Sequence, residues 1–454
     1  MSNLLINVIN KISNWNQRVS NENKAKILVF SFFLLFVNMM LSTSGVYKGS
    51  TSIAAFIGVL ITFVIMCLST PQIDKIEFNK AVMILYYIVG LCFLMSAILH
   101  KVVAFILLAL ILLFLFPIFY IIFNAKKDYN EFLVLFSKGA KYSYILMIII
   151  SIIISPLSDG QYASFLANPN GLGAFVSVMF VSLLYLYEVQ EEKKDKIINM
   201  LLIGSIFAFA IFTKSRTTYL CLGFSFMVYL IYLFINKRYI LKNIIMRILK
   251  IIVSAVLGTV IMFVCLTYVN GFILKTEENI FGSSFKVVFD PQSSYNEITS
   301  LNNQLVGAAE RGKKGIGNSD SLSSGRAEIW KTYLNDLNIT GHNADKLKVL
   351  YQGGYIEANA HNTYLQIAHS GGIIAGISFI ILNIMFAYYL FRILLKGIKE
   401  RYLDEKYLFL GGMLISCEIT MVLSSVYYPY ISSISLFYYF IIGYLFNKKK
   451  YLDI

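Results

Sequence analysis

The chain consists of long apolar runs separated by short polar connections. An apolar run of about 18–25 residues is long enough to cross the hydrocarbon core of a bilayer as an α-helix. The sequence therefore predicts an all-α polytopic membrane protein with about twelve transmembrane helices. The predicted spans are residues 26–44, 51–69, 81–99, 102–123, 140–157, 170–188, 197–213, 215–235, 250–270, 364–392, 405–426 and 430–446.

Composition supports the membrane class. Hydrophobic residues make up 57% of the 454 residues and charged residues only 14%, and the mean hydropathy is +0.68. Soluble globular proteins carry about 25% charged residues, so that class is excluded. The net charge of +14 could suggest a nucleic-acid partner, but the basic residues are concentrated in alternate connections between the apolar runs. Their excess is therefore a topology signal, and no nucleic-acid partner is expected.

The basic connections give the predicted orientation. They are "NAKKDYNEFLVLFSKGAK", "NKRYILKNIIMRILK", "RILLKGIKERY" and the tail "NKKKYLDI". Basic loops stay in the cytoplasm, so both termini are predicted to be cytoplasmic. The predicted organisation is an N-terminal segment (1–25), nine helices (26–270), a large extracytoplasmic loop (271–360), three helices (361–446) and a tail (447–454).

The large loop is expected to contain short helices. Residues 319–338, "SDSLSSGRAEIWKTYLNDLN", predict one helix, with Trp330, Tyr333, Leu334 and Leu337 on one apolar face. The preceding stretch, "RGKKGIGNSDSLSSG", is predicted to be flexible. All five cysteines lie within predicted spans and form neither a disulfide framework nor a zinc-ligand spacing.

Cations on the predicted outer face are candidates for anion binding. Lys214 and Arg216 occupy the short turn "TKSRTTYL", against the positive-inside bias; the alternative is that they extend toward the interface from helix ends. Arg326 falls in the first turn of a predicted helix, where a cation is unfavourable unless an anion binds nearby. The alternative for Arg326 is a solvated surface side chain.

The stretch "ANAHNTYLQIAHSGGIIAG" (358–376) contains two candidate histidines. On one helix, His361 and His369 would share a face; the alternative is that they are packed or hydrogen-bonded side chains. Their spacing puts them about 12 Å apart along a helix, so no metal site is expected.

Two further sites have open interpretations. Asn168 and Asn170 flank Pro169 before a predicted span, as in a turn with a helix cap. Glu418 is an intramembrane carboxylate, which is either functional or a helix–helix hydrogen-bond partner.

In order along the chain, these motifs resemble the O-antigen ligase and oligosaccharide repeat-unit polymerase family of bacterial membrane glycosyltransferases. The motifs are Asn168-Pro169-Asn170, Ser215-Arg216-Thr217, Arg326 to Trp330, and His361-Asn362 with Leu365, Gly371 and Gly372. The resemblance runs from about Phe165 to Gly376 in motifs and over the whole chain in topology.

The resemblance implies a multi-pass protein of the bacterial cytoplasmic membrane with its active site on the extracytoplasmic face. The substrate would be an oligosaccharide on undecaprenyl pyrophosphate, with membrane lipid, a flippase and a chain-length regulator as candidate partners. His361 would be the general base, and Arg216 and Arg326 would bind pyrophosphate. The transfer would be inverting, without metal or cofactor. Further candidate substrate contacts are Lys214, Asn168, Asn170, Asn362, Tyr364 and His369.

Four functions stay open. A polymerase for capsule, exopolysaccharide or O-antigen is favoured by analogy, and a ligase that moves finished glycan to another acceptor shares its residues. A flippase would also have twelve spans, but it should have several intramembrane charges, of which only Glu418 clearly qualifies in the sequence. A membrane scaffold would not depend on Arg216, Arg326 or His361.

Overall fold

The computed structural model describes residues 2–44, 51–76, 79–118, 129–166, 168–236, 241–281, 299–313, 326–343, 346–351, 354–424 and 438. Within these residues the chain is helical apart from one hairpin. The helices are α1 (Ser2–Asn16), α2 (Asn21–Thr43), α3 (Thr51–Ser69), α4 (Lys80–His100), α5 (Val103–Leu110), α6 (Tyr129–Ile154), α7 (Pro169–Val189), α8 (Lys193–Thr213), α9 (Arg216–Ile235), α10 (Leu241–Val264), α11 (Asn270–Phe281), α12 (Leu301–Lys313), α13 (Arg326–Asn335), α14 (Thr363–Gly371), α15 (Ile373–Glu400) and α16 (Glu405–Leu423). The two-stranded antiparallel hairpin, β1 (Leu347–Tyr351) and β2 (Gly354–Ala358), was not predicted.

Nine helices in the described ranges are long and apolar enough to cross a membrane: α2, α4, α6, α7, α8, α9, α10 with its continuation to Ile273, α15 and α16. The protein is a multi-pass membrane protein. Each of the nine overlaps a predicted span. Of the remaining three, 51–69 coincides with α3 and 102–123 begins as α5, whereas 430–446 lies outside the described residues except for 438. The count of twelve stays a prediction.

The predicted span 364–392 is wrong in one respect, because the chain forms two helices there. Gly372 separates α14 from α15 with a φ of +91°, and a Cβ at this position would lie 2.1 Å from the carbonyl oxygen of Ile339. Only glycine adopts this conformation in so little space. His361 precedes α14 with a φ of 45°, so it does not share a helical face with His369.

Helix α7 forms the centre of the bundle. Every side chain from Leu172 to Tyr187 is buried, because α7 packs against α6, α8, α9 and α16. A helix that is apolar all round requires such surroundings. By contrast, α10 exposes Ile252 and Val256, which are 53% and 60% accessible. These side chains are suited to lipid contact.

Buried charged side chains are more numerous than the sequence indicated. Besides Glu418, Lys141 of α6 is buried 3.9 Å from Asp195, and buried Glu188 of α7 pairs with Arg247. Asp195 lies at the start of α8 and Glu188 near the end of α7. Both pairs are therefore at the end of the bundle opposite to the one where α7 and α9 begin and α16 ends. We call the latter end the site end.

The orientation of the site end can be tested with two lysine-to-cysteine variants in a background without the five native cysteines. Position 313 ends α12 on the large loop, whereas position 242 lies in the first turn of α10, at the opposite end. We expect an impermeant maleimide to label Lys313→Cys in intact cells and Lys242→Cys only after permeabilisation. The reverse labelling would put the site end in the cytoplasm and contradict the predicted topology.

Candidate functional site

The turn between α8 and α9 presents Arg216 at a helix start. Lys214 ends α8 in the left-handed conformation, with a φ of 49°. The Ser215 side chain then caps α9 by accepting a hydrogen bond from the backbone of Thr218, which is why the helix begins at Arg216. Amide groups at a helix start carry partial positive charge, so the Arg216 guanidinium adds a cation to a site already suited to anions.

The two asparagines before α7 meet this turn. Asn168 caps α7 by accepting from the amide of Asn170 at 2.8 Å, and Pro169 occupies the first helical position. The Oδ1 atom of Asn170 accepts from the Ser215 hydroxyl at 2.9 Å. The interpretation of a helix cap therefore holds for Asn168, while Asn170 connects two motifs that are distant in sequence.

Lys214 is hydrogen-bonded within the protein. Its side chain is buried, and its Nζ atom donates to the Asp159 carbonyl oxygen at 2.5 Å. Burial lowers the pKa of the Lys214 ammonium, and the charge of Asp159 partly opposes this effect. The ammonium therefore holds the segment between α6 and α7 in place rather than extending toward a membrane interface.

Helix α12 contributes Arg311, a cation that sequence reasoning did not single out. The Nε atom of Arg216 donates to the carbonyl oxygen of Arg311 at 3.1 Å. The prediction of a flexible stretch is wrong for residues 311–313, which end α12. The cluster of positive charge in "RGKK", in a loop that is nearly neutral as a whole, was the available signal.

Arg326 and His361 are brought together by α13 and the hairpin. Trp330 donates its ring N–H to the Ala360 carbonyl oxygen, and the Tyr333 hydroxyl donates to that of Ala358, both at 3.0 Å. These bonds hold the helix that begins at Arg326 against the residues preceding His361.

The side chains of α13 that are buried differ from those of its predicted apolar face. Ile329 and Tyr333 are buried with Val349 and Ala358 of the hairpin. Leu334, predicted to be on that face, is instead 55% exposed. The difference arises because the hairpin, which was not predicted, covers the side of α13 that carries Ile329.

His361 has the properties of a neutral base. It is partly buried, its backbone is left-handed, and its amide donates to Asn359 Oδ1 at 3.1 Å. Burial lowers the pKa of His361 below its ordinary value of 6.5, and the positive charge of Arg326 lowers it further. A neutral imidazole at neutral pH can accept a proton. A non-glycine residue held in the left-handed region is also common at functional sites.

The residues after His361 attach it to the bundle. Asn362 caps α14 by accepting from the Leu365 amide, and its Nδ2 group donates to the Val422 carbonyl oxygen at 3.1 Å. Tyr364 donates its hydroxyl to Glu418, which also accepts from Tyr438. These bonds support the hydrogen-bonding interpretation of Glu418.

His369, the other histidine in this stretch, is fully buried against Asp336, with its Nε2 atom 3.0 Å from the carboxylate. Its ring also packs against the rings of Tyr333 and His342.

Arg216 with Arg311, and Arg326 with His361, form two groups at the same level of the bundle. Along the α9–α16 contact, Ser225 reaches Gly412 and Ser416, while Cys221 reaches Ser416 and Thr420. The helices are therefore antiparallel, and one further turn brings Arg216 level with the last residues of α16. Those residues accept hydrogen bonds from Asn362 and Thr363. Arg216 and His361 are thus both at the site end.

Comparison with known families agrees with this arrangement. Residues 198–380 match the Wzy_C family, O-antigen ligase. The match covers about two fifths of the chain and confirms the resemblance found in the sequence. No curated protein and no solved structure matches the chain.

The residues that match the O-antigen ligase family contain both groups. Arg216, Arg311, Arg326 and His361 all lie within residues 198–380. Asn168 and Asn170 precede the matched region and reach it through the Asn170–Ser215 bond. The helix α16, which receives Asn362, follows the matched region. The site end is thus assembled from the matched region and helices on both sides of it.

The charge of Arg326 predicts a specific pH dependence. With His361 as the predicted general base, which must be neutral to accept a proton, activity should persist below pH 6.5 and fall as the pH drops through the lowered pKa of His361. In Arg326→Gln we expect the pKa of His361 to rise and the acidic limb of kcat/KM to move to higher pH. Histidine-selective NMR of the four imidazoles measures the shift directly.

Lys331→Gln is the matched control for this experiment, since it removes a positive charge from an exposed position on the same helix. An unchanged His361 pKa in Arg326→Gln, or an equal shift in Lys331→Gln, would argue against a local effect of Arg326.

Proposed function

We propose that the protein is a polysaccharide polymerase of the bacterial cytoplasmic membrane. It transfers an oligosaccharide from undecaprenyl pyrophosphate to a hydroxyl of an acceptor sugar at the outer leaflet. The coarser assignment, a membrane glycosyltransferase-like ligase or polymerase, follows from the family match. The orientation, the lipid carrier and the choice of polymerase are the proposal.

In the proposed reaction the acceptor hydroxyl loses its proton to the neutral imidazole of His361. The acceptor oxygen forms a bond to the anomeric carbon of the donor sugar as the bond from that carbon to the pyrophosphate oxygen breaks. The electron pair of the broken bond stays on the pyrophosphate. Attack from the side opposite the leaving group inverts the anomeric centre. General-base assistance of this kind contributes about 10²–10⁴-fold to the rate.

Pyrophosphate gains negative charge as the glycosidic bond breaks, and the site end offers cations for it. Arg216 and Arg326 each present a planar guanidinium, which can bind phosphate oxygens through two hydrogen bonds. Arg311 lies next to Arg216 and adds a third positive charge. Cations positioned in advance stabilise the leaving group without reorganisation during the reaction.

The single observation that carries the proposal is that Arg326 lies close enough to His361 for its charge to lower the pKa of that histidine. A partly buried histidine with a lowered pKa can act as a base beside a cation that binds the leaving group. A scaffold protein would not require a histidine with a lowered pKa beside a cation. The charged pairs at the opposite end, Lys141–Asp195 and Glu188–Arg247, are each neutralised locally and do not extend toward the site end, which disfavours a charge pathway for transport.

The deciding experiment incubates the purified protein in nanodiscs with one defined undecaprenyl-pyrophosphate oligosaccharide. A ladder of products separated by one repeat unit is the expected result. A single product formed only with an added acceptor would identify a ligase. Lipid-linked sugar that moves between leaflets of proteoliposomes without any transfer product would contradict the proposal and identify a flippase. His361→Ala protein is the control for background hydrolysis.

A further inference from the structure

Three of the four histidines of the chain meet at a place separate from His361. His342 follows α13, His369 lies in α14, and His100 ends α4. The rings of His342 and His369 are stacked with centroids 4.2 Å apart, and the His100 ring lies parallel to that of His342 at 6.5 Å. These residues come from three separate elements, so their proximity could not be predicted from the sequence.

Asp336 completes a set of possible metal ligands with two of these histidines. Its Oδ2 atom lies 3.0 Å from the Nε2 atom of His369 and 3.6 Å from that of His342. One ligand atom from each of the three residues falls within 4.8 Å of the others. With metal–ligand bonds of about 2.0–2.1 Å, neighbouring ligand atoms in a tetrahedral zinc site are separated by roughly 3.3 Å. The two carboxylate distances bracket that value.

The turn that carries these ligands is held in place by the bundle. Asn338 accepts from the Gly341 amide at 2.6 Å through its side chain and from the Ile373 amide at 2.8 Å through its carbonyl oxygen. Gly341 has a φ of +77°, and a Cβ there would lie 2.2 Å from the Ser370 carbonyl oxygen. The segment 336–342 is therefore docked on the junction between α14 and α15. A site preorganised in this way loses little entropy when an ion binds.

The three side chains differ in exposure in a way that suits ion entry. His369 is fully buried, His342 is 24% exposed and Asp336 is 45% exposed. An ion can therefore approach from the Asp336 side, while His369 provides a fixed ligand at the base of the site.

One adjustment is required for an ion to bind. The His342 and His369 rings lie within 9° of parallel, so their lone pairs lie in parallel planes and His342 must turn to share an ion. Its Nε2 atom lies 2.7 Å from the Asp336 carbonyl oxygen and 3.0 Å from Asn338 Nδ2. Those contacts would be exchanged for the metal bond.

We propose that Asp336, His342 and His369 form a binding site for a divalent first-row transition metal of the zinc class. The ligands are the two Nε2 atoms and Oδ2 of Asp336, and water fills the remaining position. Two neutral imidazoles and one carboxylate suit a borderline-soft dication. The ion connects the end of α13 to α14. It thereby supports α13, which carries Arg326, and α14, which follows His361. It has no contact with the reacting atoms.

The experiment uses full-length protein purified with a tag that contains no histidine and stripped of metal with a chelator. Titration with Co²⁺ should give the d–d absorption of a tetrahedral site, saturate at one ion per chain, and be reversed by Zn²⁺. Zn²⁺ should also raise the Tm, because an ion that binds only the folded state stabilises it. Absence of saturable binding to the wild-type protein would overturn the proposal.

Variants at the ligands make the test specific. His342→Ala and Asp336→Asn, at the two more exposed positions, should each weaken binding by more than the roughly 10–100-fold that loss of an outer-shell partner costs. His361→Ala is the matched control, because it removes a histidine from the same region and should leave the affinity unchanged. Wild-type affinity in both ligand variants, or equal weakening in His361→Ala, would contradict the assignment.

Discussion

His361→Ala protein should reach the membrane at the wild-type level and produce no detectable polymer. Loss of the base leaves the acceptor hydroxyl without a proton acceptor, so transfer should slow by about 10²–10⁴-fold. The contacts that attach α14 to the bundle come from Asn362 and Thr363 rather than from the imidazole, and insertion should therefore be unaffected. Polymer length on gels, with membrane protein level measured in parallel, tests this.

A second variant separates the loss of the base from the effect of backbone conformation. His361 has a φ of 45°, a conformation that alanine adopts less readily than histidine or asparagine. His361→Asn therefore retains the preference for this turn but cannot act as a base. Both variants should be inactive to a similar degree. Near-normal polymer in His361→Asn would show that the position needs a certain backbone conformation rather than a base.

Arg216→Lys should be nearly as inactive as Arg216→Ala, with a loss of about 10²–10³-fold, the range found when one preorganised donor is removed from a charge-stabilising site. Lysine keeps the charge but cannot present the planar pair of N–H groups with which a guanidinium binds two phosphate oxygens. A guanidinium donates to the Arg311 carbonyl oxygen through Nε, separately from its two terminal nitrogens, whereas lysine has one nitrogen for all contacts. Initial rates of transfer with a defined lipid-pyrophosphate donor measure the effect.

Arg392→Lys is the matched control, because it makes the same replacement in α15 at a side chain that contacts only Tyr388 among the bonds described for it. It should retain wild-type rates. If Arg216→Lys also retained them, Arg216 would act through charge alone, and bidentate recognition of pyrophosphate at this position would be refuted.

The order of motifs in the sequence indicated which segments the structure brings together. The separate motifs around Asn170 and Ser215 meet through a hydrogen bond, and Arg326 lies close enough to His361 to lower its pKa. The membrane helices could be predicted from the lengths of the apolar runs, because a segment that crosses a bilayer has to form its backbone hydrogen bonds internally. These features depend on local composition or on motif order, both of which one sequence displays.

The features that were missed depend on conformation or on distant contacts. Hydropathy reports no φ angle, so the break at Gly372 within an apolar run could not be predicted from residues 364–392. The hairpin that covers Ile329 is short and lies in a loop with weak periodicity, which led to the incorrect placement of Leu334. The spacing of His361 and His369 could not reveal the cluster of Asp336, His342 and His369, because Asp336 and His342 come from another part of the chain.

The attachment of α14 has a consequence for how a sugar chain would grow. This short helix is fixed at its start by hydrogen bonds to the end of α16, along its side by the bond from Tyr364 to Glu418, and at its end by the left-handed turn at Gly372. The imidazole of His361, which precedes the first turn of α14, is therefore held in one position. In a polymerase built this way, the glycan has to advance by one repeat between rounds while the protein around the base stays still.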